Sequence, residues 1–155
     1  MELKEHITLS QKHQQSFRVF PSFFTSALNA LYFLRDEYGF RKPELSTWKN
    51  EANLVFSSNY FEITIEYESP NWIEISFRKT EVPGKIYLDQ LLEKLEIHYE
   101  KDFLGRIEGG DQSEIEQRIT ICLEKAGNII RDNWNDIREY IEIADVLSSR
   151  PSARI

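Results

Sequence analysis

The sequence predicts an α+β domain in which helices pack on an antiparallel sheet of three or four strands. Over residues 21–39 apolar side chains recur at intervals of three and four, the spacing of one helix face. Over residues 60–78 apolar and polar side chains alternate, as they do in strands with one buried face. The longest run of apolar residues at helical spacing begins after residue 113, in the C-terminal part of the chain. At 155 residues, the chain has the length of one domain with a single core.

We expect six segments along the chain. They are an irregular arm (1–20), a helix (21–39), a β meander (53–79), a second helix (86–99), a long or broken helix (113–148) and a mobile tail (149–155). The arm is rich in Gln, Ser, Lys and His, and the tail contains Pro151. The first helix is expected to pack on the apolar face of the sheet, and the C-terminal helices complete the core.

Both ends of the first predicted helix carry capping signals. The Ser22 hydroxyl can accept a hydrogen bond from a free amide of the first turn. Gly39 adopts the left-handed conformation at low cost, and Phe40 can then fold back on the last turn. Phe33 projects from the face opposite the apolar stripe, so a second layer has to cover it. We expect that layer to be the C-terminal helices.

The strands on either side of the loop 69–71 define a register. If Glu68 pairs with Trp72, the apolar residues of both strands share the buried face. The outer face then carries four glutamates and one arginine: Glu62, Glu66, Glu68, Glu74 and Arg78. In this register Arg78 faces Glu62, and Glu66 faces Glu74. Because like charges then lie close together, one carboxyl of the Glu66–Glu74 pair is expected to have a raised pKa.

The C-terminal stripe allows one helix or two. Ser113 and Glu116 have the spacing of a capping box that opens a helix. A single helix over 113–148 would be about 50 Å long at 1.5 Å per residue. The stripe takes one irregular step between Asn133 and Ile137, and Asp136 with a glutamate three residues later can cap a new helix. We therefore favour a bent or broken helix.

Composition and charge bear on partners and location. The chain has 26 acidic and 19 basic residues, a formal charge of −7, which disfavours nucleic acid because phosphate binding needs clustered Lys and Arg. The N-terminus lacks the apolar run of a signal peptide, and no stretch has the length of a membrane span. Cys122 is the only cysteine, so no intramolecular disulfide can form. We expect a cytoplasmic protein that binds neither nucleic acid nor membrane.

Catalytic and cofactor motifs are hard to find in this sequence. His98 has Asp102 four residues further on, but a metal site needs three or four ligands. The glycine-rich segment 105–110 lacks the Lys and Ser/Thr of a phosphate loop. Glu66 and Glu74 are the best acid–base candidates, and a solvated strand face explains them as well. We predict no metal, no cofactor and no enzymatic activity.

Two surfaces are candidates for binding. The first combines the acidic strand residues Glu62, Glu66, Glu68 and Glu74 with Trp72 and Tyr60, which are aromatic residues that the patterns do not require to be buried. The second is the C-terminal stripe, where Ile129, Asn133 and Ile137 can form a homodimer interface with Asn133 setting the register. A kink at Asn133 is the alternative explanation of that residue.

The helix ending in Tyr38-Gly39-Phe40 and the hairpin that follows it, 54–68 and 72–78, resemble parts of small bacterial α+β proteins. These are mostly uncharacterised and include immunity proteins of polymorphic and contact-dependent toxin systems. The resemblance covers roughly the first half of the chain and implies a stoichiometric inhibitor that masks a toxin, often an acidic protein facing a basic nuclease. The leading hypothesis is thus a noncatalytic protein-binding module, with a homodimeric structural or regulatory protein as the alternative and an enzyme of unrecognised type as the third.

Overall fold

A computed structural model of the chain describes residues 8–9, 21–48, 51–68, 72–100, 104–107 and 110–143. The strands are β1 (Thr8–Leu9), β2 (Glu44–Trp48), β3 (Glu51–Ser57), β4 (Phe61–Glu68), β5 (Trp72–Lys79), β6 (Ile86–Tyr87) and β7 (Gly105–Arg106). The helices are α1 (Pro21–Leu31), α2 (Phe33–Tyr38), α3 (Leu88–Lys94), α4 (Gln112–Asp132) and α5 (Trp134–Ile143). The predicted tail, 149–155, and the arm apart from β1 lie outside the described residues.

The predicted α+β class is confirmed, and the sheet has at its centre an antiparallel meander of β2, β3, β4 and β5. β1 pairs in parallel with β2 at one edge, while β6 and β7 both pair with β5 at the other. The predicted register is also confirmed: Glu68 pairs with Trp72, Glu66 with Glu74 and Glu62 with Arg78.

The meander begins earlier than its predicted start at residue 53. β2 was missed because its inward positions include Leu45 and the hydroxyl residue Thr47, which gives a weak apolar alternation, although both side chains are buried. The arm, predicted to be irregular, contributes β1 to the same edge of the sheet.

The inner face of the sheet and the helices share one core. The inward residues of the central strands are almost fully buried: Leu54, Phe56, Ile63, Ile65, Ile73, Ile75 and Phe77. Helix α1 packs against α4, and the two helices approach closely where Gly127 lies against Ala30. A side-chain hydrogen bond of 2.8 Å between Ser26 and Thr120 joins the same pair of helices. Phe33 meets α5 through an edge-to-face contact with Trp134, which confirms the prediction that C-terminal helices cover it.

The predicted helix over 21–39 forms two helices that meet at Tyr32. The first begins at Pro21, which places Ser22 inside the first turn, so the prediction of Ser22 as the N-cap is wrong. Proline is favoured at the first helical position because the N–H that it lacks would have no partner there. The C-cap is confirmed. Gly39 has a φ of 71°, and the Phe40 amide donates to the Leu34 carbonyl at 3.0 Å.

The second predicted helix, 86–99, is shorter than expected. Its helical part ends at Lys94 because Glu96 takes a left-handed conformation with a φ of 57°. The Ile97 amide then donates to the Leu92 carbonyl at 2.9 Å and closes the last turn. Residues 86–87 form β6 instead of helix, and the Tyr87 amide donates to the Gln90 side chain at the helix start.

The C-terminal stripe forms two helices with the break at Asn133. The Asn133 side-chain amide donates to the Ile129 carbonyl at 2.9 Å, while its own carbonyl accepts from the Ile137 amide at 3.0 Å. The predicted Ser113 cap is wrong, because Asp111 precedes α4 and accepts the Glu114 amide at 2.9 Å. None of the helices in the described ranges combines the length and apolar character that crossing a bilayer requires.

Candidate functional site

The outer face of the sheet gathers carboxylates from four strands, and we call it the acidic face. Because side chains alternate along each strand, the register places on this face six glutamates: Glu44, Glu51, Glu62, Glu66, Glu68 and Glu74. The strand register places Arg78 and Arg106 on the same face, and Lys85 pairs with Glu66. The face is therefore predominantly negative, in a protein whose formal charge is already −7.

Two ion pairs compensate part of this charge. Arg78 donates to Glu62 at 2.9 Å across the β4–β5 pair, as the predicted register requires. The Lys85 ammonium lies 3.1 Å from the Glu66 carboxylate and 5.1 Å from the centre of the Tyr87 ring. The Glu66 side chain keeps only 14% of its surface exposed, so its pair with Lys85 is the more sheltered of the two.

Glu74 lies opposite Glu66 on the acidic face, and its surroundings raise the pKa of its carboxyl to about 7. Burial is the largest cause of this rise, followed by the negative charges of Asp89 and Glu66. Lys85 and a hydrogen bond from the Trp72 indole act in the opposite direction. The expectation that one carboxyl of the Glu66–Glu74 pair has a raised pKa is confirmed, with burial as the main cause. The surroundings of Glu74 in the folded protein therefore favour its protonated form.

We expect Glu74→Gln to stabilise the protein at pH 8 and to leave its stability nearly unchanged at pH 4.5. The folded state holds the Glu74 proton more tightly than the unfolded state, so the contribution of Glu74 to stability falls as pH rises from about 4.5 to about 7. The variant lacks this loss and should gain roughly 1–3 kcal/mol at pH 8. Urea unfolding at both pH values measures the difference.

The matched control for this experiment is Glu124→Gln, which removes a carboxyl from an exposed position on α4. Its effect should stay within about 0.5 kcal/mol at either pH. Equal responses of the two variants at pH 8 would show that the environment of Glu74 does not disfavour its charged form.

The residues that the sequence predicts for the acidic binding surface do not all lie on the same part of the sheet. Glu62, Glu66, Glu68, Glu74 and Trp72 lie together on the acidic face. Tyr60 is 70% exposed in the turn before β4 and borders a cleft at that end of the sheet.

The residues predicted for a dimer interface contribute instead to contacts within the chain. Ile137 has no exposed surface and belongs to the core, so its assignment to a dimer interface is wrong. Asn133 is partly buried, and its amide bonds the Ile129 carbonyl as a helix cap. Ile129 is partly buried against the same core. These contacts favour the interpretation of Asn133 as a helix break over its interpretation as the residue that sets the register of a coiled coil.

Sequence reasoning missed the cleft, which has a volume of about 280 Å³ and lies between the end of α2, the β3–β4 turn and α5. Trp134 lines this cleft and is surrounded by aromatic rings. Its ring centroid lies 5.0 Å from that of Tyr38, 5.6 Å from that of Phe61 and 5.7 Å from that of Phe40. We call this cleft the aromatic cleft. The residues that signal it in the sequence are Phe40, which follows the Gly39 cap, and Trp134, which follows the break at Asn133.

Other reactive side chains in the described chain give little support for catalysis. Burial raises the pKa of the Cys122 thiol, so this residue is a weak nucleophile at neutral pH. His98 is exposed. Among the described residues, no group of three or more His, Cys, Asp or Glu side chains is arranged to hold a metal ion.

The chain matches no protein-family model, and no curated protein or solved structure is significantly similar to it. Function therefore has to be inferred from the side chains of the acidic face and the aromatic cleft.

Proposed function

We propose that the protein is a noncatalytic binding module that engages a basic protein partner through the acidic face. The observation that carries this proposal is the gathering of six carboxylates on one face of the sheet while the opposite face forms the core. A face of one predominant sign attracts and selects a partner of opposite charge. The proposal places this interaction in the cytoplasm.

The environment of Glu74 supports binding as the role of this face. Asp89 and Glu66 both oppose its ionisation, so the free protein holds unfavourable like charges close together. Such clusters are common at functional sites, where a bound cation relieves the repulsion. A lysine or arginine of the partner near Glu74 would favour the carboxylate and release its proton. Partner affinity should then rise between pH 6 and pH 8.

The resemblance to immunity proteins makes this proposal more specific. An inhibitor of a basic toxin needs an acidic surface, and stoichiometric masking needs no catalytic group. We therefore propose immunity-type inhibition of a basic toxin as the biological role. The acidic face supports the charge of the partner, and the toxin itself enters through the resemblance alone.

The experiment compares two charge-matched variants. The sheet-neutral variant carries Glu62→Gln, Glu66→Gln and Glu68→Gln on β4, and the helix-neutral variant carries Glu124→Gln, Asp132→Asn and Glu139→Gln at exposed positions of α4 and α5. Each removes three negative charges. Glutamine is preferred to lysine because Lys at position 66 would place a second ammonium beside Lys85.

We expect wild type and the helix-neutral variant to capture the same partner from native lysate, and the sheet-neutral variant to lose it. Three surface ion pairs at about 0.5 kcal/mol each correspond to about a tenfold loss of affinity. Quantitative mass spectrometry of the captured fractions measures this loss. Equal recovery by both variants would exclude the acidic face as the binding surface, and recovery of the chain alone would favour self-association.

A further inference from the structure

The aromatic cleft has the features of a second binding site at the end of the sheet where β4 begins. Its floor contains Trp134 and Phe61, each 3% exposed and packed in the core. Its rim carries Tyr38 and Tyr60, which are among the exposed large apolar side chains of the described chain. Exposed aromatic rings at the rim of an aromatic cleft suit a ligand that is itself flat and apolar.

Two arginines give the cleft a charge opposite to that of the acidic face. Arg41 donates to the Ser58 carbonyl at 3.1 Å and to the Asn59 side-chain oxygen, so two bonds fix its guanidinium at the β3–β4 turn. Both acceptors are uncharged, so these two hydrogen bonds do not neutralise the positive charge of Arg41. A guanidinium held in this way is preorganised for an oxyanion.

The second arginine, Arg138, lines the same cleft and pairs with Glu142 one turn further along α5, at 3.3 Å. An exposed pair at this spacing contributes little to stability, so an incoming anion can replace the Glu142 contact. With Arg41, Arg138 and Glu142 on its lining, the cleft has an excess of one positive charge. This positive charge is a local feature of the cleft, since the formal charge of the whole chain is −7.

The geometry points to a site for a small aromatic monoanion, with the ring against the exposed rings of Tyr38 and Tyr60 and the anionic group between Arg41 and Arg138. The volume of about 280 Å³ is at the lower end of ligand pockets, so one or two fused rings fit and a larger cofactor does not. A carboxylate supplies this single negative charge, whereas a phosphate monoester carries nearly two at neutral pH. The lining of the cleft shares no residue with the six glutamates of the acidic face, so this site does not depend on the proposed protein partner.

The test uses 1-naphthoate, 1-naphthyl phosphate and the neutral 1-naphthamide as probes, with ¹H–¹⁵N NMR titration of the full chain. At the affinity per atom usual for such compounds, we expect a Kd of about 0.1–1 mM for at least one anion. The amide should bind at least about fivefold more weakly. The Tyr60 and Phe61 amides and the Trp134 indole N–H should shift, and comparison of the two anions shows which oxyanion is preferred.

Charge-matched variants decide the role of the arginines. Arg41→Gln and Arg138→Gln should each weaken anion binding about fivefold to tenfold. Arg106→Gln is the control and should change anion binding less than twofold, because Arg106 lies on β7 beside Trp72, at the end of β5 away from the cleft. Arg138 is included because its guanidinium bonds α5 and not the turn, so its replacement tests the site even where Arg41→Gln disturbs the β3–β4 connection.

Equal binding of the anion and the amide, equal losses for Arg106→Gln and Arg138→Gln, or shifts confined to other residues would each overturn the inference. The sheet-neutral variant should bind the anionic probe as wild type does, because its changes lie on the acidic face. Loss of the protein partner with retained probe binding therefore separates the failure of one proposal from the failure of the other.

Discussion

Gly127→Ala is expected to destabilise the protein by about 2 kcal/mol, although the same change in most helix interiors stabilises by up to about 1 kcal/mol. A methyl group at Gly127 would lie 2.6 Å from the Ala30 carbonyl oxygen and 3.0 Å from the Ala30 Cβ. The oxygen belongs to the backbone of α1 and cannot rotate away, so α1 and α4 would have to separate. Urea unfolding followed by circular dichroism measures the change.

Asn128→Ala is the control for this prediction, because Asn128 is exposed next to Gly127 in α4. It should stabilise by a few tenths of a kcal/mol through helix propensity alone. A Gly127→Ala protein as stable as wild type would mean that α1 and α4 are further apart than the contact with Ala30 requires.

Ile137→Asp is expected to prevent folding at 25 °C. The side chain has no exposed surface, and an unpaired carboxylate in the core costs on the order of 4–5 kcal/mol or more, which is comparable to the whole stability of a small domain. Ile143→Asp, at a position that is 79% exposed on the same helix, should stay within about 0.5 kcal/mol of wild type. Circular dichroism and ¹H–¹⁵N spectra distinguish the two.

This prediction also separates the core from the dimer hypothesis. If Ile137 formed only a subunit interface, the aspartate variant would be a folded monomer with a native spectrum. Sedimentation velocity on any soluble Ile137→Asp protein tests that alternative directly. If wild type is a dimer and Ile137→Asp is a folded monomer, the placement of Ile137 in the intramolecular core is contradicted.

The sequence specified those parts of the fold in which neighbouring residues carry the information. The register of β4 and β5 follows from strict alternation on both sides of a short loop, so the positions of Glu66 and Glu74 could be predicted. The Gly39 cap was equally local. Phe33 could be predicted as a contact of the C-terminal helices because its position left no other layer to cover it.

Other features depend on choices that a single sequence leaves open. Asp111 with Glu114 and Ser113 with Glu116 are overlapping capping patterns, and the structure uses the first. The end of α3 depends on a left-handed glutamate, Glu96, a conformation that no residue type there announces.

The functional surfaces were least predictable where distant segments meet. Burial and Asp89, which comes from α3, raise the pKa of Glu74 beyond what the predicted strand pair explained. The aromatic cleft joins Phe40, Phe61 and Trp134 from three separate elements, so no local pattern contains it. Nonlocal packing is also why Tyr60, grouped with the acidic residues by sequence proximity, borders a different surface.

The dissociation constant of the captured partner, measured with purified sheet-neutral and helix-neutral variants at pH 7.5, tests the central claim most directly. Because both variants lose three negative charges, a difference between them reports the location of the interface and not the net charge. We predict that the sheet-neutral variant binds at least about tenfold more weakly while the helix-neutral variant stays within about twofold of wild type. Equal affinities of the two folded variants would contradict a partner site on the acidic face.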